Sequence, residues 1–321
     1  MNALGKTHQG VLSSAAAPVD RPQGLPPLPP RAAITPLFEV GRVDRLSAER
    51  FQAAPGMPGI LIRTIEAAER YSDGKVIGRM LKRDSSSEFG NNLARIQSPG
   101  IKIIFILMGW ASIEIEGLGE QRLKAGTLIS LPPRNRHRFT DVAPNFEDIE
   151  YELPSLIASA KSSWSAQGAT NATSEMIDAE SIDSFKNIPN FLGGVYRQFP
   201  IVKKMTGGAV SASMLRANPP HVWSGTPWHI HHHDFYCALR TKGSGMMHYE
   251  GVGDVVLNTG DFLIQQGGVR HREVIMSLDY ETFVIDLPGT YPTTMFIYDK
   301  AQGEYNPIMF TSAQDSAKAM D

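Results

Sequence analysis

Short apolar segments separated by turn residues are the dominant pattern of this sequence. Residues 101–108 are a largely apolar run that predicts a buried strand, and residues 111–116 alternate apolar and polar side chains, as a half-buried strand does. Another strand is predicted at 127–131, before two prolines. The second half repeats this rhythm, with strands predicted at 210–215, 235–240, 245–249, 254–257, 262–265, 273–276 and 282–286. A strand roughly every eight to twelve residues predicts a β-rich protein.

The chain divides into four predicted parts. Residues 1–36, rich in Ala, Pro and Gly, predict an extended arm, and residues 155–190, rich in Ser, Ala, Asn and Asp, predict a linker. The regions between them, 37–154 and 191–321, are expected to be two tandem β-barrels or jelly rolls. Helical signals are weaker and occur at residues 47–54, 65–70 and 155–161. The predicted fold class is therefore all-β, with a few helices and an extended N-terminal arm.

Composition and charge exclude several kinds of function and of site. The length of 321 residues suggests about two domains, and 42% hydrophobic with 20% charged residues is ordinary globular composition. A net charge of -2 argues against nucleic-acid binding. The single cysteine, Cys237, excludes an internal disulfide and a metal site built from several cysteines, and it favours a reducing, cytoplasmic location. The longest apolar stretch, 101–111, is too short to span a membrane, and we expect neither a membrane segment nor a signal peptide.

Histidines are concentrated in the second half, where five of the nine lie between positions 221 and 233. On a strand, His229 and His231 project from the same face, and two imidazoles at that spacing can bind one metal ion. His271 follows an apolar strand and a glycine turn, and a barrel can bring it back to the first two. These three residues are the candidate metal ligands.

Alternatives remain at this point. Asp234 supplies a carboxylate ligand only if a bulge turns it inward, because alternation points it away. The three histidines can also be a cluster that binds no metal. His232 and His233 are expected to support the ligands or to face solvent, and His221 and His248 to be structural or to line a pocket.

The two histidine segments resemble the two sequence motifs of the cupin superfamily. In the first motif, His229, His231 and Gly243 match, Gly225 is displaced, and Tyr236 stands at the position of the usual glutamate. In the second motif the matches are Gly260, Gly268 and His271, while Gln266 replaces a proline and Ile275 replaces an asparagine. The resemblance implies a two-barrel cupin whose three-histidine site is similar to those of thiol and diketone-cleaving dioxygenases. It implies Fe(II), with another divalent transition metal as the alternative.

Two-barrel cupins with one working site resemble the dioxygenases that cleave the rings of gentisate, salicylate or hydroquinone. This resemblance implies a small aromatic substrate and O2, a homo-oligomer and, for the hydroquinone type, a second small subunit. Tyr236 and Arg270 are the candidate catalytic residues. The candidate substrate-binding residues are Trp228, Tyr249, Phe262 and Arg240. The alternatives are a lyase, decarboxylase or isomerase acting on small acids or sugars, and a metal-dependent binding module without turnover.

An internal comparison supports two homologous units. Residues 126–137 also match the second motif and place His137 at the position of His271. Counting back from His137 places Arg95 and Gln97 at the positions of His229 and His231, and Lys102 falls at the glutamate position. Two cations and an amide are poor ligands for a divalent ion. We therefore expect one metal per chain, bound by the second barrel.

Overall fold

The computed structural model describes residues 38–42, 52–53, 59–83, 96–97, 99–154, 176–180, 194–217 and 225–311. Within these ranges the chain is built mainly of β-strands, with two short helices. The strands form four antiparallel sheets, and two sheets make each of two barrels. The predicted all-β fold with two barrels is therefore confirmed.

The first barrel follows strand β1 (Phe38–Arg42) in the chain. Its strands are β2 (Gln52–Ala53), β3 (Ile60–Ile65), β4 (Ile77–Arg83), β5 (Ile96–Gln97), β6 (Ile101–Met108), β7 (Trp110–Ile115), β8 (Gly119–Lys124), β9 (Leu128–Leu131), β10 (Arg136–Val142), β11 (Glu147–Leu153) and β12 (Ile177–Asp178). One sheet has the order β12-β9-β6-β11-β4-β3-β2 and the other β5-β10-β7-β8. Helix α1 (Glu66–Tyr71) connects β3 to β4, close to the helix predicted at 65–70.

The second barrel repeats this plan. Its strands are β13 (Gly194–Gln198), β14 (Ser211–Ala217), β15 (Trp228–His231), β16 (Phe235–Lys242), β17 (Ser244–Tyr249), β18 (Gly253–Asn258), β19 (Asp261–Gln265), β20 (Arg270–Met276), β21 (Glu281–Leu287), β22 (Thr293–Asp299) and β23 (Glu304–Phe310). The sheets have the orders β1-β19-β16-β21-β14-β13 and β18-β17-β20-β15-β22-β23. Helix α2 (Pro200–Thr206), which the apolar pattern did not predict, occupies the place of α1. Of the other two predicted helices, 52–53 is a strand, and the rest of 47–54 and all of 155–161 lie outside the described residues.

Most strand pairs of the two barrels share one register, offset by 134 residues (271 minus 137). His137 lies opposite Ile115, and His271 lies opposite Tyr249. The bulge after Phe139 on β10 recurs after Glu273 on β20. A shared register that includes a bulge is strong support for two homologous barrels, because bulges are specific local features of a sheet.

The strand that carries the first two ligands is an exception to this register. His229 lies opposite His271, whereas Ile96 lies opposite His137. Counting along the sequence placed Arg95 at the position of His229, and this alignment is wrong by one residue. A count assumes equal loop lengths, whereas hydrogen bonding between strands sets the register.

The barrels exchange strands at their edges. Strand β1 precedes the first barrel but pairs with β19 of the second, and β12 precedes the second barrel but pairs with β9 of the first. The sequence-based division placed residues 38–42 in the first unit, whereas strand β1 pairs with a strand of the second barrel. Each of these two strands covers one edge of the sheet that it joins. Their backbone hydrogen bonds also link the two barrels.

The largest apolar core lies between the barrels and is built from both. Phe105 of the first barrel stacks on Phe283 of the second, with ring centroids 4.2 Å apart. Cys237 is buried in this core, where its Sγ lies 3.4 Å from the hydroxyl of Tyr151. Because this core fixes one face of β16, the other face of that strand is directed into the second barrel.

Candidate metal centre

The three predicted ligands meet inside the second barrel. The ring of His229 lies 4.3 Å from that of His271 and 4.8 Å from that of His231, between centroids. One ring nitrogen from each residue lies within 4.8 Å of the other two. Strand β15 supplies the first pair by alternation, and its pairing with β20 sets His271 directly across from His229.

Hydrogen bonds at Nδ1 fix the orientation of all three imidazoles. Nδ1 of His229 is 2.9 Å from the carbonyl oxygen of Pro227, and Nδ1 of His271 is 2.9 Å from that of Val269. Nδ1 of His231 is 2.9 Å from the hydroxyl of Thr293. Two of these partners are carbonyl oxygens, which can only accept a hydrogen bond, so Nδ1 carries the proton in those two rings. Their Nε2 atoms therefore present a lone pair toward the barrel centre, where it can bind a metal ion.

Electrostatics also favours neutral rings. Burial lowers the pKa of His231 and His271 well below the usual value, and the neighbouring His229 lowers both further. Neutral imidazole is the form that binds metal ions. The residues of this centre therefore fit a divalent transition metal, and three imidazoles suit iron, copper, nickel and zinc alike.

The interiors of the two barrels differ in polarity. The register offset matches six inner positions of the second barrel with six of the first: Tyr236, Arg240, Tyr249, Gln265, Glu273 and Tyr280 against Lys102, Ile106, Ile115, Leu131, Phe139 and Phe146. Five of the six first-barrel residues are apolar and belong to one core cluster. Side chains therefore fill the first barrel, whereas polar groups surround the histidines of the second.

His137, the first-barrel counterpart of His271, lies in a different environment. It is buried beside an ion network in which Arg83 binds Asp148 and Glu150, and Lys102 binds Glu150 at 2.8 Å. Burial, and then the charge of Lys102, lower the pKa of His137 to about 3. Within the described residues, the cluster at His229 is the one group of three or more candidate ligands close enough to share an ion.

Two predicted site residues stack on histidine rings of the cluster, Tyr249 on the candidate ligand His271 and Tyr236 on His233. The Tyr249 ring stacks on that of His271, with centroids 5.4 Å apart, and its hydroxyl donates to Oε1 of Gln265 at 2.8 Å. The Tyr236 ring stacks on that of His233, 5.6 Å away. Burial raises the pKa of both phenols well above the usual value, so each hydroxyl keeps its proton and can donate it in a hydrogen bond.

Arg240 also points into the second barrel, on the same face of β16 as Tyr236. It is 3% exposed, and its guanidinium carbon lies 3.6 Å from the centroid of the Tyr280 ring. Its Nε and Nη1 have no hydrogen-bond partner among the described residues. A buried guanidinium without a carboxylate partner favours the binding of an anion.

The structure does not bring the other three predicted residues to the histidines. Trp228 and Arg270 lie on the outer face of their sheet, where Arg270 binds Glu250 at 3.2 Å. Phe262 is part of the core between the barrels. Each lies on the opposite side of its strand from the barrel interior, because successive side chains of a strand alternate between faces. Nearness in sequence to a ligand was therefore misleading at these positions.

The remaining acidic and basic residues of the histidine segment are also placed. Asp234 does not turn inward: its side chain is 69% exposed and lies 3.7 Å from Lys75. His232 faces outward and contacts Thr294, and His248 contacts Asp254 on the outer sheet. His233, in contrast, is buried beside His231, and neither of its ring nitrogens has a partner among the described residues. His221 lies outside the described residues.

Sequence reasoning missed two polar residues of the centre. Glu273 has Oε2 3.9 Å from Nε2 of His229, and Thr293 orients His231. The alternation of β20 puts Glu273 on the same face as His271 and was the available signal. Thr293 comes from β22, whose pairing with β15 is not evident from the sequence.

Comparison with known proteins is informative at the level of the fold. No family model matches the sequence, and no curated protein matches it. A glyoxylate-induced protein from Pseudomonas aeruginosa is similar with a TM-score of 0.57 and 11% identity, covering 85% of this chain and 97% of that protein. The protein Ylba from E. coli, of the family model DUF861, has a TM-score of 0.54 and 13% identity, covering 81% and 95%.

Oxalate decarboxylase from Lactobacillus farciminis, in a formate complex, has a TM-score of 0.52 and 12% identity, covering 84% of this chain and 91% of that protein. The chain has the bicupin fold. At these identities the likeness extends to the fold alone, so the chemistry of this chain must be argued from its own residues. Among the residues that the structure describes, no helix is long and apolar enough to cross a bilayer.

Proposed function

We propose that this bicupin is a metal-dependent enzyme that acts on a small organic acid without consuming O2, as a decarboxylase, another lyase or an isomerase. The observation that carries the proposal is Arg240, a buried guanidinium in the same barrel as the three histidines, whose Nε and Nη1 have no hydrogen-bond partner in the part of the chain that the structure describes. An anionic substrate would satisfy these donors, and a carboxylate matches the planar guanidinium.

The fold adds support of a general kind. One bicupin of similar structure is an oxalate decarboxylase, so this architecture is compatible with chemistry on a small acid. His229, His231 and His271 would hold the ion, which when bound acts as a Lewis acid toward a substrate oxygen. Tyr236 would donate a hydrogen bond to the substrate, since its phenol stays protonated. Tyr249, whose hydroxyl donates to Gln265, would line the site beside His271. Arg240 would orient the carboxylate.

A second candidate is the cleavage of a small phenolic ring with Fe(II) and O2. It is favoured by the two aromatic walls of the centre, where Tyr236 and Tyr249 lie flat against histidine rings. Offset stacking of this kind suits a planar aromatic substrate.

The two candidates differ in their need for oxygen. The purified chain would be reconstituted anaerobically with Fe(II), Mn(II), Co(II), Ni(II) or Zn(II) and tested on small mono- and dicarboxylic acids and on catechols, hydroquinones, gentisate and salicylates. We expect turnover of an acid that persists without O2 and is lost in Arg240→Met, which keeps the length of the side chain. Oxygen uptake with a phenol, and no anaerobic turnover of any acid, would support the dioxygenase instead.

The expected partners stay predictions. Size-exclusion chromatography with light scattering tests the homo-oligomer. Addition of a small subunit encoded beside this chain to an otherwise silent preparation tests the second-subunit prediction. A cytoplasmic location is likewise a prediction.

A further inference from the structure

A buried carboxyl group lies on the wall of the second barrel, near the candidate metal centre. Asp286 of β21 is 3% exposed and stands directly opposite Tyr236 of β16, so both side chains face the barrel interior. The hydroxyl of Tyr291 donates to its Oδ1 atom at 3.1 Å, and the hydroxyl of Ser211 donates to its Oδ2 atom at 3.2 Å. Asp286 thus has a hydroxyl on each oxygen and, within the described part of the chain, no cation at ion-pair distance.

Tyr291 connects this carboxyl group to the histidines. Its ring packs edge-on against two imidazoles, with its centroid 5.5 Å from that of His231 and 5.2 Å from that of His233. His233 is buried, and neither of its ring nitrogens has a partner among the described residues. Buried polar atoms are normally hydrogen-bonded, so this side of the centre favours a ligand with polar groups. Tyr291 therefore contacts the buried acid with its hydroxyl and the histidine cluster with its ring.

The equivalent acid of the first barrel is paired with a cation. The register offset of 134 residues relates β21 to β11 and places Asp286 where the first barrel has Glu152. Glu152 binds Arg79 at 3.0 Å, and the second barrel has Ser213 at the position of that arginine. An acid thus occurs at this position in both barrels, but in the barrel with the three histidines it is buried without the arginine.

The environment of Asp286 keeps it close to the point of protonation at neutral pH. Burial raises its pKa to about 7, while the hydrogen bonds from Tyr291 and Ser211 and the charge of Lys203 on α2 act in the opposite direction. The other described groups on which the charge of Asp286 acts are three phenols and one thiol, those of Tyr196, Tyr236, Tyr291 and Cys237. Burial raises the pKa of each of them, and the charge of Asp286 adds to the effect, so they keep their protons near neutral pH.

The proposed chemistry on a small acid needs a proton. In a decarboxylation the C–C bond breaks, CO2 leaves, and the electron pair left on the substrate carbon takes up a proton to form a C–H bond. A carboxyl group whose pKa lies near the working pH is suited to supply that proton. Because a hydroxyl hydrogen rotates, Tyr291 can accept a proton from Asp286 on its oxygen while it donates its own to the substrate. The carboxylate that remains is then reprotonated by solvent.

We propose that Asp286 and Tyr291 form a proton-delivery pair, in which Tyr291 transfers its hydroxyl proton to the substrate and takes up the proton of Asp286. Tyr291 is then a catalytic residue, and Asp286 acts through it. This inference rests on the proposed function, because it requires a substrate that gains a proton. It leaves the three histidines and Arg240 in the roles already given to them.

The test follows the pH dependence of anaerobic kcat with whichever mono- or dicarboxylic acid of the panel above the metal-loaded chain turns over. In the unaltered chain, kcat should fall as the pH rises through about 7, because the protonated fraction of Asp286 falls. Tyr291→Phe keeps the ring against His231 but removes the hydroxyl, and it should lower kcat at least about hundredfold. Asp286→Asn, whose amide does not transfer a proton at neutral pH, should lower kcat at least about tenfold and remove this pH dependence.

Infrared spectroscopy of the metal-loaded chain without substrate gives a measurement that is independent of turnover. The band of a protonated carboxyl group should disappear as the pH is raised through about 7 and should be missing in Asp286→Asn. Glu152→Gln is the matched control, because it makes the same change at the equivalent position of the first barrel. It should keep both the infrared band and the pH profile. Co(II) affinity should be the same in Asp286→Asn, Tyr291→Phe and the unaltered chain.

The possible failures are distinguishable. An unchanged pH profile in Asp286→Asn, or an undiminished kcat in Tyr291→Phe, would overturn the inference and leave the proposed function intact. Loss of Co(II) binding in these variants would assign the fall in kcat to a damaged metal centre and would also overturn the inference. Absence of anaerobic turnover of any acid by the unaltered chain would overturn the proposed function, and proton delivery with it, even if the infrared band titrates as expected.

Discussion

Two glycines determine the shape of the turn that precedes strand β20 and His271. A Cβ atom on Gly267 would lie 1.8 Å from the carbonyl oxygen of His233, and backbone atoms cannot yield as a flexible side chain can. The adjacent Gly268 donates its N–H to the carbonyl of His231. The turn before β20 and the end of β15 are thus packed backbone against backbone. The position of His271 relative to His231 therefore depends on residue 267 having no side chain beyond hydrogen.

We predict that Gly267→Ala lowers the free energy of unfolding by at least about 2 kcal/mol, because the clash forces the backbone apart. It should also weaken metal binding through displacement of His231. Chemical denaturation followed by circular dichroism measures the first effect. Gly251→Ala is the control, since its Cβ would meet no atom within 4 Å and only the left-handed backbone conformation adds strain. Equal losses in the two variants would contradict the packing argument.

Buried His137 in the first barrel makes the free energy of unfolding depend on pH. His137 stays neutral in the folded chain until about pH 3, whereas in the unfolded chain it takes up a proton near its ordinary value of 6.5. The unfolded state therefore binds more protons between these values, and stability falls as the pH is lowered through this window. The loss from this residue amounts to roughly 5 kcal/mol at the acid end.

Replacement by a residue that cannot titrate tests this. In His137→Leu the free energy of unfolding should depend less steeply on pH between about 6 and 3, by up to one proton. Urea denaturation at a series of pH values measures the slope. Identical slopes in the two proteins would show that His137 is protonated in the folded state.

At the scale of elements, the exchanged strands connect the two barrels. Strand β1 pairs along all five of its residues with β19, whose other side pairs with β16 next to the metal centre. An uncovered β19 would expose unpaired N–H and C=O groups along this edge. The segment before the first barrel therefore contributes to the stability of the second.

Two truncations separate the strand from the arm. Removal of residues 1–42 should lower the melting temperature by at least about 5 °C, because a paired strand is lost, and should promote aggregation through the exposed edge. Removal of residues 1–37 leaves β1 in place and should change the melting temperature little. Scanning calorimetry and light scattering measure both quantities. If the two truncated chains have the same melting temperature, then β1 does not stabilise the second barrel.

Elements also show what the sequence could predict. The convergence of His229, His231 and His271 was predictable because alternation along a strand and a glycine turn are local patterns, and both are present in the fold. Phe262 and Trp228 were misplaced because strands of a two-sheet barrel are buried on both faces, so apolar side chains do not reveal which face is inside. The positions of β1 and Thr293 depend on pairing between distant segments, which one sequence does not disclose.

At the scale of the whole molecule, two barrels of matching register differ in the polarity of their interiors. The register offset relates Ile115 to Tyr249 and Phe139 to Glu273, so equivalent backbone positions carry packing groups in one unit and polar groups in the other. Lys102 binds Glu150 inside the first barrel, where its charge also acts on His137. The first barrel is thereby suited to a structural role and the second to chemistry.

This division predicts one metal ion per chain. Co(II) or Zn(II) loading followed by removal of loosely bound ions should leave about one equivalent, measured by plasma emission spectrometry. His271→Ala should abolish it, since only two imidazoles then remain and the opposed pair with His229 is broken. His137→Ala should retain it, because His137 belongs to no group of candidate ligands among the described residues. Two equivalents that fall to one in His137→Ala would show that the first barrel also binds metal, and the division of roles between the barrels would then be wrong.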